Sequence, residues 1–351
     1  MNNTNEKWPE SGLEQVDLCP ICGCTVCRLI YSGLTDSVFR CSPGEWDIYQ
    51  CADCRSAYLN PRPTIATIHL AYQHYYTHQR PQRQVSAELS SLRFFIRKLA
   101  NGYRNWRYNS RIFPESRFGP FIFSILPGLK EVLDREMRYL PKLKKNGRLL
   151  DVGFGDGAFL ELAQSVGWLV NGVDLDSVSV KNARHRGLDV RHGGIEAFED
   201  VPNYFDVITM NHVIEHVHDP IDVLKRAYDL LKPGGQLFIE TPNIEAYGHD
   251  KFKQHWRGLE IPRHLIIFSW DAIDQLLMKV GFRKLDCIYS FKPYAQLANA
   301  SRQMEKGFDP YTQSNKKLTD KFISLFLKLN PFVNKKKSEF ILIKAYKPKV
   351  K

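Results

Sequence analysis

Cysteine is sparse in this chain, eight residues in 351. That is too few for a small secreted scaffold and suits a reducing compartment, with the thiols free or metal-bound. The opening MNNTNEKWPESGLEQ has neither a basic stretch nor an apolar one, so the expectation is a cytoplasmic protein. Long apolar runs are missing too. The two longest, 118–129 (FGPFIFSILPGL) and 322–333 (FISLFLKLNPFV), are broken by Pro, Gly or Lys and fall short of the roughly 20 residues a bilayer span needs. No internal repeat is visible.

What is present is the composition of a folded protein with ample core: 43% hydrophobic, 25% charged and 12% aromatic. Disorder and collagen-like structure are excluded, and two domains, or one large domain with an appendage, are expected. The net charge of +11 is unevenly spread: residues 1–79 carry −3, 80–148 carry +11, 149–300 carry −6 and 301–351 carry +9. Two basic, aromatic-rich segments thus flank an acidic middle, and they fit either an anionic partner surface or a merely solvated face.

Near the N-terminus stand two CxxC pairs, Cys19 with Cys22 and Cys51 with Cys54, separated by 28 residues. Each pair presents two thiolates from one tight turn, and together they complete a tetrahedral site, so a structural zinc in a ribbon-like domain is predicted. Cys24, Cys27 and Cys41 are spare thiols that leave an iron–sulfur or redox site as the alternative. A Pro-rich exit (58–63) and a Tyr/His-rich piece (69–78) follow. Residues 86 to about 140 read as basic helices interrupted at Pro114, Pro120 and Pro127.

From Gly147 onward, short apolar runs (RLLDVG, WLVNGVD, DVITM, QLFIE) alternate with amphipathic segments at 158–166, 177–186, 220–231 and 269–280. Strands alternating with helices predict a doubly wound α/β fold with a parallel sheet. Runs at 283–291 and 339–346 predict two more strands, the last antiparallel, with a helix-leaning, Lys-rich insertion between them. The expected organisation is therefore a ribbon-like domain over 1–79, a basic helical segment over 80–146, and an α/β domain over 147–351 with a lid-like insertion at 292–337.

The first strand-to-helix turn reads Asp151-Val152-Gly153-Phe154-Gly155-Asp156-Gly157, and Asp174 ends the following strand, 21 residues after Gly153. Glycines there allow a tight turn and close approach of a ligand, and an acid at that strand end can accept both hydroxyls of a ribose. The spacing is DxGxGxG and not the GxGxxG of dinucleotide folds. Together with VNGVDLD, FDVITMNHVIEHVHDP, LLKPGGQLFIETPN and the closing Gly281-Phe282, it resembles the class I S-adenosylmethionine-dependent methyltransferases. CPICG, YQCADC and YLNPRP resemble a zinc-knuckle extension found on a bacterial subgroup of that family.

The resemblance implies a Rossmann-like methyltransferase sheet with an antiparallel last strand, and S-adenosyl-L-methionine as cofactor. It implies that Asp151 is cofactor-binding, that Gly153, Gly155 and Gly157 bring the backbone against the cofactor's methionyl part, that Asp174 holds the ribose, and that Asn211 stands near the amino-acid end. Gly193 and Gly194 occupy the place where the family often has an adenine-binding acid, which leaves adenine to the backbone and Glu196 without a clear role.

The catalytic candidates are in Asn211-His212-Val213-Ile214-Glu215-His216, after the fourth strand, where ligands of such sheets bind. HVIEH also matches the HxxEH of certain zinc proteases, but those need a long helix at this place. Some methyltransferases acting on RNA 2'-hydroxyls or on catechols of ubiquinone precursors carry a similar ExxEH and a distant His that bind a divalent metal. His212, Glu215, His216 and His264 align with that set. The readings left open are a second, divalent metal, a general base supplied by His216 or His264 with Glu215 assisting, and plain capping or core roles. Met-Asn-His-Val stands where base N-methylating enzymes have Asn-Pro-Pro-Tyr, and cytosine C5 chemistry would need a thiolate. Between Cys54 and Cys287 there is no cysteine. O-methylation of a small-molecule, glycan or lipid-linked acceptor is the expected activity. RNA 2'-O-methylation and a non-catalytic nucleic-acid or protein-binding module are the alternatives. Peripheral contact with an anionic membrane is a further expectation, and nucleic acid is the weaker partner.

Overall fold

Between residues 148 and 346 the apolar runs form strands and the amphipathic stretches form helices, as their periodicities require. The computed structural model describes residues 7–72, 91–311, 318–330 and 332–349. The expected Tyr/His-rich piece beyond 72, the start of the basic segment, and residues 312–317 and 331 of the insertion lie outside the described residues.

In chain order the strands and helices are β1 (Leu13–Glu14), β2 (Cys27–Leu34), β3 (Trp46–Cys51), β4 (Ala57–Leu59), β5 (Arg62–Pro63), α1 (Ser91–Tyr108), α2 (Gly119–Ile125) and α3 (Pro127–Glu136). Then come β6 (Arg148–Val152), α4 (Ala158–Ser165), β7 (Leu169–Asp174), α5 (Ser177–His185), β8 (Asp189–His192), β9 (Phe205–Asn211), α6 (Pro220–Leu230) and β10 (Leu231–Pro242). The last are α7 (Tyr247–Phe252), β11 (Ile266–Ile267), α8 (Trp270–Val280), β12 (Arg283–Ile288), α9 (Tyr294–Glu305), α10 (Leu318–Leu329) and β13 (Phe340–Tyr346).

The main sheet has the order β12-β13-β10-β9-β6-β7-β8. β6 runs parallel to both β7 and β9, β7 runs parallel to β8, and β12 with β13 is antiparallel. The strands and helices form the doubly wound α/β pattern the sequence predicts, and the mixed sheet is the Rossmann-like methyltransferase fold that the resemblance implies. β8 has no apolar run to announce it, since only Val190 of its four residues is buried. Pro120 and Pro127 start α2 and α3 rather than interrupting a helix. A proline lacks only an N–H that the first helical turn leaves unpaired in any case.

The described residues divide into two compact units. One takes in 91–210, 229–238 and 347–349. Its core gathers Leu149, Leu160, Val166, Trp168 and Val207 with Tyr108, Met137 and Leu140 from the helical segment. Tyr103 and Tyr108 each donate from their hydroxyls to Asp134 at 2.8 Å.

The other unit takes in the described residues up to 72, with 211–228 and 239–346. In it a four-stranded sheet of order β11-β4-β3-β2 unites the cysteine-bearing hairpins with a strand from late in the chain. The fully buried Arg263 forks onto Asp36 at 2.6 and 3.1 Å, fastening the same two regions. Ser269, which caps α8, donates from its hydroxyl to the Cys54 carbonyl at 2.6 Å.

Candidate active site

The turn after β6 is a loop whose three glycines, Gly153, Gly155 and Gly157, take φ of +66°, +58° and +75°. At Gly155 a Cβ would meet nothing within 4 Å. Glycine is required there by its left-handed backbone, and the space beside it is open to a ligand. Asp174, half-buried at the end of β7, accepts the Gly155 N–H at 2.8 Å and the Asp176 N–H at 2.9 Å through different oxygens. A carboxylate offers about four acceptor sites, more than these two N–H groups fill. Glu196 turns back to accept the Gly194 N–H at 2.8 Å.

Asp151 is fully buried and faces Thr209 across β6 and β9. Its Oδ1 accepts from the Thr209 hydroxyl at 2.8 Å and from Arg138, while Oδ2 has no partner among the described residues. Burial raises the Asp151 carboxyl above its usual range, and the Arg138 guanidinium opposes that rise. Arg138 lies 3.9 Å from the Phe159 ring centre and, like Tyr139, has a left-handed backbone. Sequence reasoning missed Arg138, and the one signal for it was a basic residue in a run of helix formers just ahead of the glycine strand. An orphaned buried carboxylate oxygen, a left-handed loop and a strand-end acid fit a ligand that carries an ammonium group and a ribose, as S-adenosylmethionine does.

In the other unit, Asn211 closes β9 half-buried, and the chain then turns through His212 at φ +56°. The Glu215 carbonyl accepts from Leu265 and Ile266 at 2.9 and 3.2 Å, which ties this loop to β11. Glu215 has no exposed surface. Its Oε1 meets His212 Nδ1 at 3.1 Å, and its Oε2 accepts from the Thr241 hydroxyl at 2.9 Å. Burial would raise its carboxyl, but the His212 hydrogen bond and the charges of the nearby histidines outweigh it and hold it down at about 2.

His216 Nδ1 faces the Arg263 carbonyl at 2.9 Å and His264 Nδ1 faces the Gly258 carbonyl at 2.9 Å. A carbonyl only accepts, so each Nδ1 carries the proton and each Nε2 presents a lone pair. The two imidazoles are 4.8 Å apart, centre to centre. Burial chiefly, with His216 adding, lowers the His264 ring to about 4 against the pull of Glu260 and Glu215. One ligand atom each from Glu215, His216 and His264 lie within 4.8 Å of one another. His212 is not of this group: it lies between Glu215 and Glu240, 3.8 Å from the latter, with its ring 4.8 Å from that of Phe340. Glu260, Arg263 and Thr241, which surround the cluster, carried no motif and were missed.

The four cysteines Cys19, Cys22, Cys51 and Cys54 also converge. All four sulfurs lie within 4.8 Å of one another, Cys19 to Cys54 at 3.6 Å and Cys22 to Cys51 at 3.5 Å. A tetrahedron with zinc–sulfur bonds of about 2.3 Å has edges of about 3.8 Å. Left-handed residues, Gly23 and Arg55, follow the two pairs and close the knuckles. The Cys24 thiol meets the Val26 backbone in its own turn, and Cys41 lies against Asp36.

Residues 128–286 match a family model described as "Methyltransferase domain". A Pseudomonas entomophila protein named ubiquinone biosynthesis O-methyltransferase is 37% identical over 103 residues, 27% of this chain and 44% of its own length. A Paracidovorax citrulli protein of the same name is 31% identical over 152 residues, 41% of this chain and 59% of its own. The chain therefore spans about half the length of the curated relatives it matches. A crystal structure of a SAM-dependent methyltransferase from Archaeoglobus fulgidus, at 24% identity and a TM-score of 0.44, covers 65% of this chain and 98% of its own.

Proposed function

We propose that the protein uses S-adenosylmethionine to methylate a hydroxyl of a small-molecule, sugar or lipid-linked acceptor. Gly153, Gly155 and Gly157 bring the backbone against the cofactor, Asp174 receives its ribose hydroxyls, and Asp151 with Arg138 faces its amino-acid end. Bound S-adenosylmethionine supplies a methyl group on a sulfonium, open to in-line attack by an oxygen. Transfer to a hydroxyl requires that its proton be accepted and its oxygen held on line.

The observation that carries this reading is the pair of histidines with fixed tautomers beside an ionised Glu215. Two Nε2 lone pairs and a carboxylate oxygen are acceptors without a proton of their own, so they suit a hydroxyl donor. The same three groups fit a divalent cation of the magnesium, manganese, iron or zinc kind, with the backbone carbonyls behind each Nδ1 acting as the outer partners that orient metal-bound histidines. Such an ion would orient the acceptor oxygen and favour its deprotonated form. Without such an ion, the Nε2 of His264 or His216 is the proton acceptor, with Glu215, fixed by Thr241 and His212, beside them. The four-cysteine cluster holds a structural zinc with no open position.

The test is methyl transfer from S-adenosylmethionine carrying a labelled methyl, given to fractions of small hydroxylated metabolites, glycans and lipid-linked saccharides, with products read by mass spectrometry. The label is expected in an ether. Its appearance on nitrogen or carbon, or no transfer to any fraction, would overturn the reading. The relatives' name, with its O-methyltransferase, supports ether formation; their substrate is not carried over.

A further inference from the structure

Helices on a protein surface ordinarily turn their apolar face inward. α10 does the reverse. Its outward positions are Leu318, Phe322, Leu325, Phe326 and Leu329, between 51% and 68% exposed and spaced along one helical face. Its buried positions are Leu327 and Asp320, and Asp320 turns inward to Arg302. Phe332, just beyond, is 94% exposed.

The helical segment of the other unit repeats the pattern. Through α2 and α3, Phe118, Phe121, Ile125, Leu129 and Val132 follow one another at three- and four-residue steps, and each is exposed. Phe123 and Leu133 take the inward positions. Single exposed apolar residues are ordinary, but two outward-facing stripes are not.

Charge selects the occupant. Residues 91–130 carry eight Lys or Arg and one Asp or Glu, and 318–349 carry eight against two. Both acids of the second stretch, Asp320 and Glu339, are buried, so the charge it shows to solvent is cationic. Large apolar side chains amid cations match the boundary of an anionic bilayer, where the apolar face enters the acyl region and lysines meet the headgroups. Among the described residues no helix is long and apolar enough to cross a membrane. We infer that α10 and the α2–α3 segment are each a surface that lies in the interface of an anionic bilayer. This inference does not rest on the methyltransferase reading, because it uses none of the residues placed in that site.

Flotation of the full chain with vesicles tests it. The protein is expected to rise with mixed phosphatidylglycerol and phosphatidylcholine at low salt, to rise less at high salt, and to stay down with phosphatidylcholine alone. The pairs Phe322→Ser/Phe326→Ser and Phe121→Ser/Ile125→Ser should each weaken partitioning by about tenfold or more, with the melting temperature and S-adenosylhomocysteine binding unchanged. No flotation with either lipid at low salt would overturn the inference. So would full flotation of both serine pairs, which would leave only headgroup attraction. A stable dimer of the wild type, broken by the same serine pairs and indifferent to lipid, would assign the stripes to a second copy of the chain and also overturn it.

Discussion

The two side-chain clusters that could hold a metal are built on opposite plans. Cys19, Cys22, Cys51 and Cys54 offer four identical donors from two tight turns, enough to fill a tetrahedron. Glu215, His216 and His264 offer three unlike donors from distant parts of the chain, with each imidazole anchored behind by a carbonyl. A closed set is suited to holding a fold together. An incomplete set, three ligand atoms among the described residues, is suited to receiving something else. In one compact unit, then, structural and chemical demands have produced different ligand sets.

The comparison can be broken first at the closed set. Cys51→Ser should remove the zinc and unravel the hairpins of β2 to β4, because metal binding in small zinc domains is worth on the order of 10 kcal/mol. Elemental analysis beside a melting curve checks this, and a variant that keeps both zinc and stability would erase the contrast. The next effect is at the bond that joins the two regions. Arg263 and Asp36 are both buried and paired through two hydrogen bonds, so Asp36→Ala strips a buried guanidinium of its carboxylate fork and should cost about 3–5 kcal/mol in denaturant unfolding.

A pH profile sharpens what the imidazoles do for Glu215. Glu339 is equally buried but, among the described residues, its carboxylate oxygens accept from the Trp256 and Gly248 N–H groups, 3.0 and 2.8 Å away. Burial raises its carboxyl to about 7, those hydrogen bonds opposing the rise. Its folded-state value lies above the ordinary one near 4.5. Its contribution is therefore fully present below about pH 4.5 and is lost as pH rises through about 7, on the order of 3 kcal/mol. Glu339→Gln should flatten that slope in unfolding measured from pH 4.5 to 7.5, and an unchanged slope would show the carboxyl to be ionised throughout. The smallest effect on stability is expected of Glu215→Gln, which keeps the shape and the Thr241 contact and should cost about 1 kcal/mol. It should nonetheless weaken binding of manganese, followed by its electron paramagnetic resonance signal, by at least about tenfold, while leaving the zinc content at the wild-type level.

What could be seen in the sequence follows the same division. The cysteine knuckles, the glycine loop and Asp174 are local patterns, in which spacing along the chain is itself the geometry. The strands β6, β7, β9 and β10 were legible because each buries a continuous apolar run, and β8 was not, having only Val190 inside. His264 could be proposed from likeness alone. Nothing in its neighbourhood foretold that Arg263 beside it would turn its guanidinium to Asp36, more than 200 residues away, and its carbonyl to His216. Arg138 was hidden for a related reason: its partner Asp151 lies across a turn whose left-handed residues, Arg138 and Tyr139, have no glycine to mark them. The apolar runs 118–129 and 322–333 were visible as runs, but which side of each helix faces water is decided by packing.

The central claim is that the loop after β6 binds S-adenosylmethionine. Isothermal titration of the purified chain with S-adenosylhomocysteine tests it most directly. One site per chain with micromolar affinity is predicted. Gly155→Val, which puts a β-branched side chain on a backbone at φ +58°, should abolish the binding, and Asp174→Ala, which removes the ribose acceptor, should weaken it by about tenfold or more. Absence of both heat and thermal stabilisation with the wild type, whose zinc and fold are intact, would contradict the account.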